Sequence, residues 1–433
     1  MPLLLNVIYL VVLAALLPWV AWRRLAGGRP VAAPWIRFTG DIRPLPAPAG
    51  AARIWMHGVS VGEVQLLATL AAEVAAQAGA AGRAVDCVAS SATTTGLEVA
   101  ARRFGSDRVF PCPLDFSWSV RRTLDRLRPD LLVLGELELW PNLLAAASRR
   151  GIPVVVVNAR MSPRSAAGYR RIGPLVRRML RQVAVVVARS EADGARFTAA
   201  GAGRVIVAGS MKFDGVGGDR AAPEIDRLRR LAGFAIDDIV FLAGSTQDPE
   251  ERLAAEAYLA ARDRHPAVRL VIVPRHVERA PEIGRLLDGL GLRWQARTRL
   301  DADGPDPRAR VLLVDTTGEL SRWWGTATIA FVGGSLDGRR GGQNMVEPAA
   351  YGAAVAFGPH TRNFPDEVAA LRTADAAEVV ADGAALTAFV ERCLHDPPWA
   401  AERGRRASAA VVARRGATPL TARLLLERLP PSR

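Results

Sequence analysis

The sequence is almost without lysine: of its 57 basic residues, only Lys212 is not arginine. Cysteine is scarce too. Cys87, Cys112 and Cys393 share no CxxC or ligand spacing, which leaves out a disulfide framework and a cysteine-held zinc. No GxGxxG follows the first strand pattern and no GxxxxGK[ST] occurs, so neither a NAD-type nor a P-loop site is expected. No cluster of histidine and aspartate asks for a metal, and no cofactor is expected. The net charge is +14, but aromatics are not interleaved with the arginines as in RNA-binding motifs, so nucleic acid is not an expected partner. Arginine this abundant suits phosphates and acidic lipids instead.

Charge is also missing from Leu3 to Trp22, a run long enough to cross a bilayer, with Arg23, Arg24 and Arg29 directly after it. No basic segment precedes the run, which argues against a cleaved signal peptide. Residues 1–22 therefore read as a membrane anchor, with Trp19, Trp22 and Trp35 at the interface and the bulk of the chain on the cytoplasmic side. The competing reading is an N-terminal helix packed into the soluble core. Residues 23–50, with Pro30, Pro34, Pro44, Pro46 and Pro48, read as a linker.

What is present is half hydrophobic and 23% charged, the composition of a globular chain, and 433 residues exceed one typical core. Short strands at Arg53–Met56, Val85–Ser90, Leu131–Leu134, Val154–Val157 and Val183–Ala188 alternate with helices such as Val64–Ala78. A second series starts near Val205, with strands at Ile239–Ala243, Arg269–Val273, Arg310–Val314, Thr328–Val332 and Ala354–Ala356. Continuous apolar strands separated by helices imply doubly wound α/β domains with buried parallel sheets. The expected division is 51–208 and 209–433, two Rossmann-like domains facing a cleft into which the C-terminal strand ends open.

The motifs sit at those strand ends. After Met56 comes His57-Gly58-Val59-Ser60-Val61-Gly62-Glu63, where Ser60, Gly62 and a turn deliver Glu63 to a helix start. A carboxylate there can take a proton from an acceptor hydroxyl, or simply complement the helix dipole. Glu136-Leu137-Glu138-Leu139-Trp140-Pro141-Asn142 offers two alternate carboxylates, one of which should turn toward the cleft. Arg160 in Asn158-Ala159-Arg160-Met161-Ser162 can bind a carboxylate or phosphate. Lys212, in Gly209-Ser210-Met211-Lys212-Phe213-Asp214, suits a place needing a compact point charge.

In the second series, Pro274-Arg275-His276 ends a strand, with Arg275 suited to a phosphate and His276 to a base. Gly333-Gly334-Ser335 lets backbone N–H groups approach a phosphate, and Asn344 and Glu347, three apart at a helix start, can grip a ribose.

Taken in order, HisGlyValSerValGlyGlu, GluLeuGluLeuTrpProAsn, AsnAlaArgMetSer, GlySerMetLysPheAsp, ValProArgHis, AspThrThrGlyGluLeu and PheValGlyGlySer…GlyGlyGlnAsn…GluPro resemble the 3-deoxy-D-manno-octulosonic acid (Kdo) transferases. The resemblance spans nearly the whole chain. It implies a GT-B architecture and metal-independent, inverting transfer of Kdo from CMP-Kdo to a lipid A precursor at the cytoplasmic face of the inner membrane. It implies Glu63 as general base, with Pro274, Arg275, Gly318, Asn344 and Glu347 around CMP. Gly334 and Ser335 would face the phosphate, and Lys212 would contact the anionic donor. The chain departs from the family pattern at Gln247 and Gln343, where the family usually has histidine. Those departures keep open a GT-B enzyme with another donor, or a non-catalytic paralogue that binds the lipid A precursor.

Overall fold

The apolar runs become two parallel sheets. The structure, a computed structural model, describes residues 2–25, 33–45 and 50–430. The chain forms two compact units, Met1–Gly215 with Arg415–Arg433, and Val216–Arg414.

The first unit carries β1 (Ala52–His57), β2 (Val85–Ser91), β3 (Val109–Pro111), β4 (Leu131–Gly135), β5 (Val154–Ala159), β6 (Val185–Ala188) and β7 (Val205–Val207). Their order is β3-β2-β1-β4-β5-β6-β7, all parallel. Successive strand residues face opposite sides. Here both sides are covered: Leu132, Leu134, Val154 and Val156 join one apolar cluster, and Leu131, Val133, Val155 and Val157 join another. Burial on both faces is why the sequence shows unbroken Leu/Val runs rather than alternation.

The second unit carries β8 (Ile239–Thr246), β9 (Val268–Pro274), β10 (Trp294–Ala296), β11 (Val311–Leu313), β12 (Ile329–Val332), β13 (Ala354–Phe357) and β14 (Ala377–Val379). The order is β10-β11-β9-β8-β12-β13-β14, again all parallel. Phe241, Leu270, Ile272 and Phe331 pack there with Ala254 and Tyr258 of the helix Glu250–Arg262.

Each sheet has a central switch point from which successive connections run to opposite sides, between β1 and β4 in the first unit and between β8 and β12 in the second. At such a point the loops leaving the C-terminal strand ends diverge and open a crevice. The loops that follow His57, Gly135, Thr246 and Val332 are therefore the ones positioned for chemistry.

Three expectations need correction. Val205 does not open the second series; Val205–Val207 is the edge strand of the first sheet, paired with β6. The second unit does not keep residues to 433, because the helix Ala417–Leu426 buries Ala417, Ala422 and Leu425 in the first unit's core. Asp214 caps that helix by accepting the N–H groups of Gly416 and Thr418, both at 2.6 Å.

The third concerns the N-terminus. The uncharged run does form a helix, Pro2–Leu25. Its polar residues turn onto the first unit: Asn6 Nδ2 donates to Ser117 Oγ at 2.7 Å, and Tyr9 Oη donates to Asp115 Oδ2 at 3.0 Å. Among the described residues no helix is long and apolar enough to cross a membrane. The linker expected over 23–50 includes 26–32 and 46–49, which lie outside the described residues, as do the side chains of Trp19 and Trp22. Within it, Pro34–Thr39 is a short helix and Trp35 is exposed.

Candidate active site

In the first unit the site begins with the helix Val61–Ala80. Ser60 caps it in extended conformation, accepting the Glu63 N–H at 3.2 Å. Glu63 returns the contact: Oε1 accepts from Ser60 Oγ at 2.7 Å and Oε2 from the Val59 N–H at 2.9 Å. This reciprocal cap fixes the carboxylate at the β1 end. The carboxylate that caps the helix is only half-buried. Gly62, beside it, is exposed.

β4 ends at Gly135, and Glu136 already sits in the left-handed region at φ 54°. The alternation argument for Glu136 and Glu138 therefore does not apply, because neither residue lies on a strand. Glu63 acts electrostatically on both carboxylates. Burial raises the Glu136 pKa and Glu63 raises it further, against the opposing pull of Lys212, Arg189 and Arg160. Burial and then Glu63 push Glu138 up to about 7, although it accepts a hydrogen bond from Trp140 Nε1 at 3.0 Å.

The first unit thus brings together Glu63, Glu136, Glu138, Arg160 and Lys212. It adds Arg189, which the sequence reading missed: a buried arginine directly after β6, 3.5 Å from Asp193. An arginine following a run of buried valines was the available signal. Lys212 lies in the turn Met211–Phe213, whose flanking Met211 and Phe213 are buried. Asn158 Oδ1 accepts the Met211 N–H at 3.1 Å and so ties two motifs together.

In the second unit the glycine-rich turn after β12 meets the turn after β8. The expected opening of its amides toward a phosphate is not what the structure holds. Glu250 Oε2 accepts the N–H groups of Gly334 at 2.7 Å and Gln247 at 3.0 Å. Its Oε1 accepts those of Ser335 at 3.0 Å and Leu336 at 3.2 Å. Ser335 Oγ is committed as well, donating to Val332 O and accepting from the Gly358 N–H.

Asn344 precedes the short helix Val346–Ala350 rather than lying on it, because Oδ1 accepts the Val346 N–H at 3.2 Å. The pairing with Glu347 survives through a direct bond, Asn344 Nδ2 to Glu347 Oε1 at 3.0 Å. Burial raises the Glu347 pKa, while hydrogen bonds from Asn344 and Trp324 oppose that.

Pro274 closes β9, and the Arg275 N–H donates to Thr246 O at 2.9 Å, which brings the β9 and β8 ends together. The Arg275 and His276 side chains are exposed, with His276 Nδ1 3.5 Å from Glu278. Gly318 turns the chain after β11 at φ 83°, with open space where a Cβ would lie.

Two parallel-sheet α/β units of this kind resemble the fold of GT-B glycosyltransferases. A family model described as 3-deoxy-D-manno-octulosonic-acid transferase matches residues 36–215. The chain is 36% identical over 426 residues to the 3-deoxy-D-manno-octulosonic acid transferase of Bordetella pertussis, covering 94% of each. The chain belongs to the Kdo transferase family. Its fold is similar to that of a UDP-GlcNAc 2-epimerase from Neisseria meningitidis (TM-score 0.58, 12% identity, 87% of this chain and 100% of that one). It is likewise similar to a glycosyltransferase from Rickettsia africae (TM-score 0.55, 13% identity, 87% and 97% covered).

Proposed function

We propose that this Kdo transferase moves Kdo from CMP-Kdo to a lipid A precursor, lipid IVA, in lipopolysaccharide core biosynthesis, with inversion at the anomeric carbon. The observation that carries the mechanism is the Glu63 carboxylate, pinned by Ser60 and Val59 at the β1 end. As general base it takes the proton of the acceptor hydroxyl. The hydroxyl oxygen forms the new bond to the anomeric carbon. The bond to the phosphate oxygen breaks, and CMP leaves with the electron pair.

Charge on the leaving phosphate is met by Arg275 in a displacement that needs no metal. Glu347, oriented by Asn344, accepts from the ribose hydroxyls, and His276 lies against the base. Lys212 and Arg160 hold anionic groups of donor or acceptor, beside Glu136 and Glu138. The inner-membrane location belongs to the same proposal. The N-terminal helix exposes Leu3, Leu4, Val7, Val11 and Val12, an apolar flank suited to the membrane that holds the acceptor.

Gln247 and Gln343 favour one other reading, a GT-B enzyme of the same family using a different donor. The deciding assay incubates purified protein with CMP-Kdo and lipid IVA and reads the product by mass spectrometry. A gain of one or more Kdo units, absent for Glu63→Ala, is the expected outcome. Folded wild-type protein that adds none would overturn the proposal and send the search to other donors.

A further inference from the structure

The glycine-rich turn offers what an anion site normally needs, several consecutive backbone N–H groups converging on one point. In this chain the point is taken. Glu250, 3% exposed, reaches it from the first turn of its own helix and collects four N–H groups from two loops. The fit is tight. A Cβ on Gly333 would lie 2.6 Å from Glu250 Oε2, 2.7 Å from Thr246 Cα and 2.8 Å from Ser245 O, so glycine is required for the carboxylate to enter.

Outside the turn, Gln247 and Gln343 flank Gly334. Gln247 is 5% exposed, and its Oε1 is buried without a hydrogen-bond partner among the described residues. That oxygen is an acceptor and does not bind a phosphate; the donors of the two carboxamides are their Nε2 groups, and both lie against Gly334 at the rim of the filled turn.

We infer that Glu250 is a positioning residue of the donor site: its carboxylate is the resident anion of the glycine-rich turn, and the donor's phosphate accepts from the Nε2 groups of Gln247 and Gln343 on the rim instead of from the turn's amides. The inference rests on the reading above that this end of the sheet holds the donor. With the nest filled from within, the turn keeps its shape before donor arrives, and binding need not order it. A carboxylate satisfied by four N–H groups also opposes an approaching phosphate less than a bare one would.

The test compares full-length wild type with Glu250→Ala. Three quantities are measured with and without added sodium formate, against sodium chloride at equal ionic strength: thermal melting, donor KM and kcat. Expected for Glu250→Ala are a lower melting temperature and a KM for CMP-Kdo raised about ten-fold or more, as misplacement of a binding group does, with kcat changed much less. Formate, refilling the nest, restores melting and KM in the variant and leaves wild type unmoved.

A KM that is unchanged, or lowered because the freed amides take the phosphate, overturns the inference. So does a folded variant that formate does not rescue. Should Glu250→Ala not fold, Glu250→Gln carries the same KM readout: it keeps the volume but turns N–H groups against N–H donors, and a wild-type KM would overturn the inference. Calorimetry of wild type with CMP separates the two layers. No nucleotide binding sinks the donor reading alone, while the formate-dependent melting shift still reports on the nest.

Discussion

Gln247 and Gln343 stand on either side of one glycine: a Cβ at Gly334 would lie 3.2 Å from Gln247 Nε2 and 3.4 Å from both Cγ and Nε2 of Gln343. The two departures from the family pattern are thus neighbours in space, and a change at one is felt at the other. Carboxamides do not titrate. Gln343→His should therefore give donor KM a pH dependence that wild type lacks there, improving as pH falls through about 6.5 and the imidazole gains charge. Gln247→His added to it should be non-additive, as for residues sharing a partner. Flat KM profiles for both variants would remove these residues from phosphate recognition.

Glu63→Gln should lower kcat by roughly 10²–10⁴-fold, the range for loss of a general base. It should also weaken the helix cap by about 1 kcal/mol. Kinetics and thermal melting on the same preparation separate the two effects. A loss of activity under ten-fold would leave Glu63 as a cap and nothing more.

Glu138 titrates near neutrality. Its pKa in the folded chain is raised to about 7 from 4.5, first by burial and then by Glu63. A raised carboxylate favours the protonated form, so its contribution to stability is full below about pH 4.5 and is lost as pH climbs through about 7. Glu138→Gln should flatten that slope in pH-dependent melting. It should also remove a limb near pH 7 from the kcat/KM profile if the carboxylate acts on Glu63 during turnover.

His57 runs the other way. Burial, with a smaller push from Arg37, takes its pKa down to about 4, against the Ser90 backbone contact. A depressed histidine stays neutral in the fold while the unfolded chain picks up a proton. Stability is therefore full above about pH 6.5 and falls as pH drops toward 4. Acid titration of the melting temperature, repeated on His57→Gln, should show the slope shrink by up to one proton.

Two glycines should respond oppositely to alanine. Gly333→Ala drives a methyl into Glu250 and the Ser245–Thr246 backbone and should cost about 1–3 kcal/mol. Gly62→Ala adds a methyl in the first helical turn, where Ser60 Oγ lies 4.0 Å away. It should gain about 0.4–1 kcal/mol by restricting the unfolded chain. Activity that falls while stability rises would mark Gly62 as a place of close acceptor approach.

Much of this was legible along the chain. Unbroken apolar runs such as Val154–Val157 announced buried parallel strands, because burial on both faces leaves no polar alternation. The serine and glutamate of Ser60–Glu63 announced a capped helix start, since a cap is settled within one turn of chain. The three-residue edge strands β3, β7, β10 and β14 did not stand out, because so few partly exposed residues carry little pattern.

What only the tertiary structure decided are contacts between segments remote in sequence. Asp214 capping the helix Ala417–Leu426 returned the C-terminus to the first unit. Asn6 and Tyr9 bound the uncharged N-terminal run to Ser117 and Asp115. Above all, Glu250 closed the turn at Gly334 and Ser335. A sequence names the groups that can hydrogen-bond and how local chain geometry presents them. Which donor meets which acceptor across a hundred residues is decided by packing, and there the amides that read as open to a phosphate were filled by the chain's own carboxylate.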